Sequence, residues 1–263
     1  MNEIDRNGVR AEADGLAAEP AQTTATRNSG PESLTEAQRG IWFDYARAPE
    51  GAFTIGGYTV IEGRLDSALF HRAVIEEVAA HDALNLVFSV DENGVPQQTV
   101  RPSWTPEMAV LDLSDEADPL AALAERSSML LEAAMDPTRD PLFLTTLCRL
   151  DDARYGWITV FHHLAADGWA TALFIKGVAE RYTALCAEGT GGATDAAPSF
   201  LEHARRLASD PGLAKSAEGW LDRFSRLPPP LFEARSVAGG PRARTVTSRI
   251  DAADWAMVGE SAR

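Results

Sequence analysis

Residues 155–186 read YGWITVFHHLAADGWATALFIKGVAERYTALC, and the reading of this stretch decides the architecture. Its first seven residues are aromatic and β-branched, the composition of a strand. From Trp169 to Cys186 the apolar residues recur at helical spacing. Between the two stand adjacent histidines, His162 and His163, followed by Asp167-Gly168. A strand that ends in two histidines, turns through Asp-Gly and enters a helix places an imidazole at a strand terminus, where sites are commonly built. The competing reading is a satisfied core histidine pair beside an ordinary helix cap. Two histidines together with Asp-Gly at this spacing favour a functional loop.

The flanking sequence predicts the elements around that junction. Residues 142–150 form a partner strand, joined to residues 155–161 through Asp151-Asp152-Ala153. Residues 54–62 (TIGGYTVIE) suit a strand, and Asp66 caps a helix running to about Ala80. Residues 84–90 and 95–100, joined around Asn93-Gly94, carry the clearest hairpin signal. A strand near residues 109–113 precedes Asp118-Pro119, which opens a helix with proline at its first position and ends near Ala134. Thr35-Glu36-Ala37-Gln38 is a capping box that starts a helix bearing Ile41, Trp42 and Tyr45 on one face. Helices and strands alternate without a βαβ rhythm, so the expected fold class is α+β: a mixed-sheet sandwich with helices on one face.

Composition sets the outer limits. The chain has 263 residues, 45% of them apolar, enough for one large domain or two small ones. A net charge of −15 argues against a nucleic-acid partner and against an anionic membrane surface. No run reaches the apolar length of a membrane span, and residues 1–33 lack the apolar block of a signal peptide. Those 33 residues have no periodicity and are expected to form a disordered leader, with order beginning at Thr35. Cys148 and Cys186 read as buried free thiols; no metal site is indicated. A cytoplasmic protein is the consistent expectation. After Cys186, a Gly/Ala/Thr-rich linker covers residues 188–198. Helices are expected at residues 200–207 and 213–227, halted by Pro228-Pro229-Pro230. A strand at residues 246–250 and a helix from Ala252 follow.

The pattern His-His-x-x-x-Asp-Gly resembles the signature of the condensation domains of nonribosomal peptide synthetases, members of the chloramphenicol-acetyltransferase-like superfamily. Residues 34–43 (LTEAQRGIWF) look like the family's opening motif. His81-Asp82-Ala83-Leu84 through Phe88 resembles its His-Glu-x-Leu-Arg-x-x-Phe segment, with Asn85 where an arginine is usual. Residues 199–204 loosely resemble a later aromatic motif, with His203 where an aromatic is usual. The resemblance implies a chloramphenicol-acetyltransferase-like lobe over residues 34–187. It also implies connecting helices and the truncated beginning of a second lobe over residues 199–263. The family's later motifs are absent, so the chain is expected to be the N-terminal portion of such a domain.

The chemistry implied by the resemblance is amide formation between two thioesters carried on phosphopantetheine arms. No cofactor would be bound by the protein itself. The partners would be donor and acceptor carrier domains and the missing C-terminal lobe or neighbouring synthetase domains. A thioester is already activated, so the protein must bring tethered substrates together, keep the amine neutral and stabilise an oxyanion. By the match, His163 is the catalytic candidate, either accepting the amine's proton or orienting the amine. His162 would be structural, turned the other way at the strand end. Asp167 could orient an imidazole as in a triad; in the resembled family it instead makes a buried ion pair with an arginine and holds the loop. Gly168 would let backbone and substrate approach, its amide facing the reacting carbonyl. Trp169 reads equally as core or channel wall, while His81, Asn85 and His203 read as fold or surface residues. The opening motif looks closest to synthetase-starting domains of the siderophore type. The alternatives are a non-catalytic carrier-docking module, an ester-forming acyltransferase with the same heptad, or, ranked low, an epimerization domain.

Overall fold

The strand that ends in the two histidines lies inside a sheet covered on both faces. The computed structural model describes residues 30–48, 53–101, 104–188, 197–228 and 250–261. Its elements are β1 (Glu32–Ser33), α1 (Glu36–Arg47), β2 (Thr54–Glu62), α2 (Ser67–Ala80), β3 (Leu86–Val90), β4 (Pro96–Val100) and β5 (Met108–Asp112). There follow α3 (Pro119–Glu132), β6 (Phe143–Arg149), β7 (Arg154–His162), α4 (Gly168–Glu188), α5 (Phe200–Ala208), α6 (Pro211–Phe224) and α7 (Ala252–Ser261). A short 3-10 helix, Asp82–Asn85, joins α2 to β3.

The larger sheet has the order β2-β7-β6-β5, antiparallel at β2/β7 and β6/β7 and parallel at β5/β6, so it is mixed as expected. The expectation of helices on one face is corrected. Side chains alternate across a strand, and β7 uses both sides. Trp157 and Phe161 join Phe70 of α2, Phe174 of α4, and Phe143 and Leu147 of β6 in one buried cluster. Ile158 and Val160 join Leu123 of α3 and Cys148 in another. Gly156 marks how closely α3 approaches: a Cβ there would lie 2.4 Å from a Leu123 methyl. The signal was present in the sequence. A run that is apolar at both odd and even positions (Trp157, Ile158, Val160, Phe161), rather than alternating, belongs to a strand buried on both faces.

The predicted hairpin forms, with Gly94 in its turn at φ 81°, a left-handed value that glycine adopts without penalty. It builds a second sheet, β1-β4-β3. Here a second expectation is corrected: Glu32 and Ser33, placed by composition in the disordered leader, pair with Gln98 and Gln97 as an edge strand. The capping predictions are met in detail. Thr35 and Gln38 form the reciprocal capping box of α1, Asp66 accepts from the Ala68 and Leu69 amides, and Asp118 from those of Leu120 and Ala121.

The described chain divides into two units, Met1–Leu213 and Ala214–Arg263. α5, the first of the helices expected after residue 199, packs on the first unit. Ser199 and the amides of Phe200 and Leu201 all donate to the carboxylate of Asp82, at 2.6, 2.8 and 3.3 Å. Leu201 and Phe200 join a buried cluster with Leu34, Leu86, Phe88 and Leu164. In the second unit, Trp220 of α6 lies against Phe224 and under the Arg223 guanidinium. The strand expected at residues 246–250 lies outside the described residues except for Ile250. Cys148 is buried, and burial pushes its thiol up to about 11, so it is inert. Cys186 is exposed, which corrects the reading of both thiols as buried. No described helix is long and apolar enough to cross a membrane.

Candidate active site

The heptad is a tight loop between β7 and α4 in which nearly every polar group is held. His162 is the last residue of β7 and pairs with Thr54 of β2. Period-two alternation sends its ring to the same face as Ile158 and Val160, and the ring is 1% exposed. Phe53 stacks beside it at 6.3 Å between centroids, and Tyr45 of α1 meets it edge-on at 6.1 Å. Its Nδ1 accepts from the Leu164 amide at 3.1 Å, so the neutral ring carries its proton on Nε2, which has no partner among the described residues. Burial, with the neighbouring His163 adding to it, drives the His162 pKa down to about 4. His162 is therefore a neutral wedge between α1 and the strand end.

His163 has the opposite environment. Its backbone amide donates to the Phe53 carbonyl at 2.7 Å, continuing the β2/β7 ladder by one residue. Its side chain is exposed. Its Nδ1 lies 3.0 Å from the Ala166 carbonyl oxygen. A carbonyl only accepts, so Nδ1 must carry the proton and Nε2 is left with a free lone pair. The loop is closed by the Ala165 and Ala166 amides donating to the His162 carbonyl. Two neighbouring histidines thus hold opposite tautomers, one sealed and one presented to solvent.

Asp167 caps α4. One carboxylate oxygen accepts from the Ala170 amide at 2.7 Å, and its carbonyl accepts from the Thr171 amide and hydroxyl. Asp167 is exposed and acts as the N-cap of α4. The His163 Nδ1 position that a triad carboxylate would take is filled by the Ala166 carbonyl, which argues against the triad reading. Gly168 is the first helical residue. A Cβ added there would meet nothing within 4 Å, so the space before the first turn of α4 is open. Of the first-turn amides, that of Ala170 is taken by Asp167, while those of Gly168 and Trp169 precede the helical ladder. Trp169 is 74% exposed, beside Leu173 one turn on, which makes it a surface residue of the loop's flank rather than core.

The remaining marked residues serve the fold. His81 Nε2 lies 2.9 Å from Glu77, and Asn85 donates to the carbonyls of Val78 and His81, finishing α2. His203 is exposed on α5. Residues that sequence reasoning passed over do more. Gln38, marked only as a cap, reaches the heptad itself through a bond to the Leu164 carbonyl. Glu77 is buried and paired with Arg181, tying α2 to α4. Nothing local in the sequence signals that pair, whose members lie 104 residues apart. Among the described residues no three His, Cys, Asp or Glu side chains are grouped to hold a metal.

The fold has counterparts among known proteins. The model of the condensation domain family matches residues 28–258. This chain belongs to the condensation domain family. It is 35% identical over 210 residues to an isonitrile lipopeptide synthase of Streptomyces coeruleorubidus, a match covering 78% of this chain and 14% of that protein. It is 28% identical over 206 residues to enterobactin synthase component F of Escherichia coli (strain K12), covering 75% of this chain and 16% of that protein. The crystal structure of the starter condensation domain of rhizomide synthetase RzmA superposes with a TM-score of 0.67 at 32% identity, covering 74% of this chain and 48% of that one. The first condensation domain of the calcium-dependent antibiotic synthetase gives 0.66 at 26% identity, with 75% and 48% coverage. The chain thus spans a small part of its curated relatives and about half of each solved domain.

Proposed function

We propose that this chain supplies the histidine-bearing half of a condensation domain that joins a carrier-bound acyl or aminoacyl thioester to the amine of a carrier-bound aminoacyl group. The observation that carries the reading is His163: exposed at a strand end, with Nδ1 tied to the Ala166 carbonyl and Nε2 free to accept. The acceptor amine attacks the thioester carbonyl, the C–N bond forms, and the C–S bond breaks with the thiolate leaving. His163 Nε2 accepts the proton that the amine gives up, and passes it to the departing sulfur. The open first turn of α4, at Gly168, supplies backbone N–H groups to the oxyanion. Asp167 and His162 fix the loop and take no part in the proton transfer. No cofactor is held by the domain; both substrates arrive on phosphopantetheine arms. The acidic composition and the free thiols fit a cytoplasmic setting.

The donor is an acyl group that begins a chain. Support comes from the solved neighbours, which include a mutant RzmA starter condensation domain in complex with C8-CoA, at a TM-score of 0.72 and 29% identity over 79% of this chain. The test is to present a complete condensation domain built on this chain with an aminoacyl-loaded carrier. Octanoyl-CoA, an acyl-loaded carrier or an aminoacyl-loaded donor carrier is then added, and products are read by mass spectrometry. An N-acyl aminoacyl product from the acyl donors is expected. Ester products, or hydrolysis alone with every donor, would overturn the reading.

A further inference from the structure

The opening helix is bonded directly to the histidine loop, and the bond runs through Gln38. That side chain is 4% exposed. Its Oε1 accepts from the Thr35 amide at 3.0 Å and the Thr35 hydroxyl at 3.1 Å. Its Nε2 donates to Gln98 Oε1 at 2.9 Å and to the Leu164 carbonyl at 3.1 Å. The orientation of the amide is forced, because the Thr35 amide only donates and the Leu164 carbonyl only accepts. Gln98, wholly buried, is oriented in the same way by donating to the Ser33 carbonyl at 3.0 Å.

A capping box needs only an acceptor at this position, and glutamate serves as well as glutamine. The donor end is what glutamate lacks, and here that end meets two buried acceptors. Leu164 is thereby gripped twice: its amide donates to His162 Nδ1 and its carbonyl accepts from Gln38. Two residues further on, the Ala166 carbonyl receives His163 Nδ1–H. We infer that Gln38 is a positioning residue for the reaction. Its bond to the Leu164 carbonyl holds the loop in the shape that sets the Ala166 carbonyl against His163 Nδ1, and so keeps Nε2 the accepting nitrogen. The inference rests on the reading of His163 given above, and its test does not depend on turnover.

The test is nitrogen NMR of the 263-residue chain with labelled histidine, which reads which ring nitrogen of His163 is protonated. In the wild type Nδ1–H is expected to dominate. In Gln38→Glu, which keeps the cap acceptor, and in Gln38→Met, the ratio of the two tautomers is expected to move roughly fivefold toward Nε2–H, the effect of losing one hydrogen bond. Thr35→Ala weakens the cap but leaves the donor end intact; it should lower the melting temperature without moving the ratio. In a complete domain the Gln38 variants should lose on the order of tenfold or more in kcat with KM for the acceptor unchanged. A wild-type chain with no through-bond coupling between Gln38 Nε2 and the Leu164 carbonyl would overturn the inference. So would an unmoved ratio in folded Gln38 variants, an equal shift in Thr35→Ala, or loss of fold in both Gln38 variants. If the ratio moves while His163→Ala leaves amide formation untouched, the reading of His163 fails and takes the role in the reaction with it, leaving only Gln38's control of the ring's tautomer.

Discussion

Gly177→Ala should unfold the first unit more easily, although the change favours a helix in isolation. Glycine costs about 1 kcal/mol relative to alanine inside a helix, so propensity alone predicts stabilisation by that amount. The structure predicts the reverse. A Cβ at Gly177 would sit 2.0 Å from Glu77 Oε1 and 2.5 Å from its Cδ. Glu77 cannot withdraw freely: one oxygen takes Arg181 Nε, the other lies 2.9 Å from His81 Nε2, and the Glu77 and Arg181 side chains are both buried. Displacing the carboxylate leaves a buried guanidinium without its partner, an effect of about 3–5 kcal/mol. The net loss is then about 2–4 kcal/mol, or roughly 5–15 °C in melting temperature for a domain of this size. Urea and thermal denaturation followed by circular dichroism measure it directly. The decisive control is Glu77→Ala, itself destabilising, as background: with the carboxylate gone, Gly177→Ala should become stabilising by about 1 kcal/mol. Stabilisation in the wild type, or the same loss in both backgrounds, would refute the packing argument.

His162 predicts a pH dependence. Its folded pKa of about 4 lies below the ordinary value near 6.5, so between these limits the unfolded chain binds a proton that the folded chain refuses. Stability should be complete above pH 6.5 and fall as pH drops toward 4, by up to about 3 kcal/mol. The difference in slope between wild type and His162→Phe, from urea titrations across that window, checks it; equal slopes would show that the ring is not sealed. Asp82→Ala removes the acceptor of three donors at the start of α5 and should free that helix from the first unit. Amide exchange in residues 200–208 is expected to rise by on the order of tenfold or more, with α2 and α4 unchanged. Uniform exchange throughout the unit would contradict that local role.

What was legible in the sequence was what is local. Thr35 and Gln38, Asp66, and Asp118 with Pro119 each announce a helix start within four residues. Asn93-Gly94 announces a turn, and the heptad announces a strand-to-helix junction. What escaped depends on partners far along the chain. The second face of β7 is set by α3, and the small sheet by Glu32 and Ser33 meeting Gln98 and Gln97. The Glu77–Arg181 pair joins α2 to α4, and Gln38 reaches Leu164 across 126 residues. His163 was marked by the resemblance as the catalytic candidate; its exposure and its tautomer could not be read before the loop and the Ala166 carbonyl were placed around it.

The account stands on His163 Nε2 as the atom that takes the amine's proton. The most direct measurement compares single-turnover amide formation by wild type and His163→Ala in a complete condensation domain, with both carriers preloaded and folding checked by circular dichroism. The account predicts a loss of about 10²–10⁴-fold in the variant with an unchanged fold, the range for removing a general base. Unchanged product formation by a folded His163→Ala would contradict it.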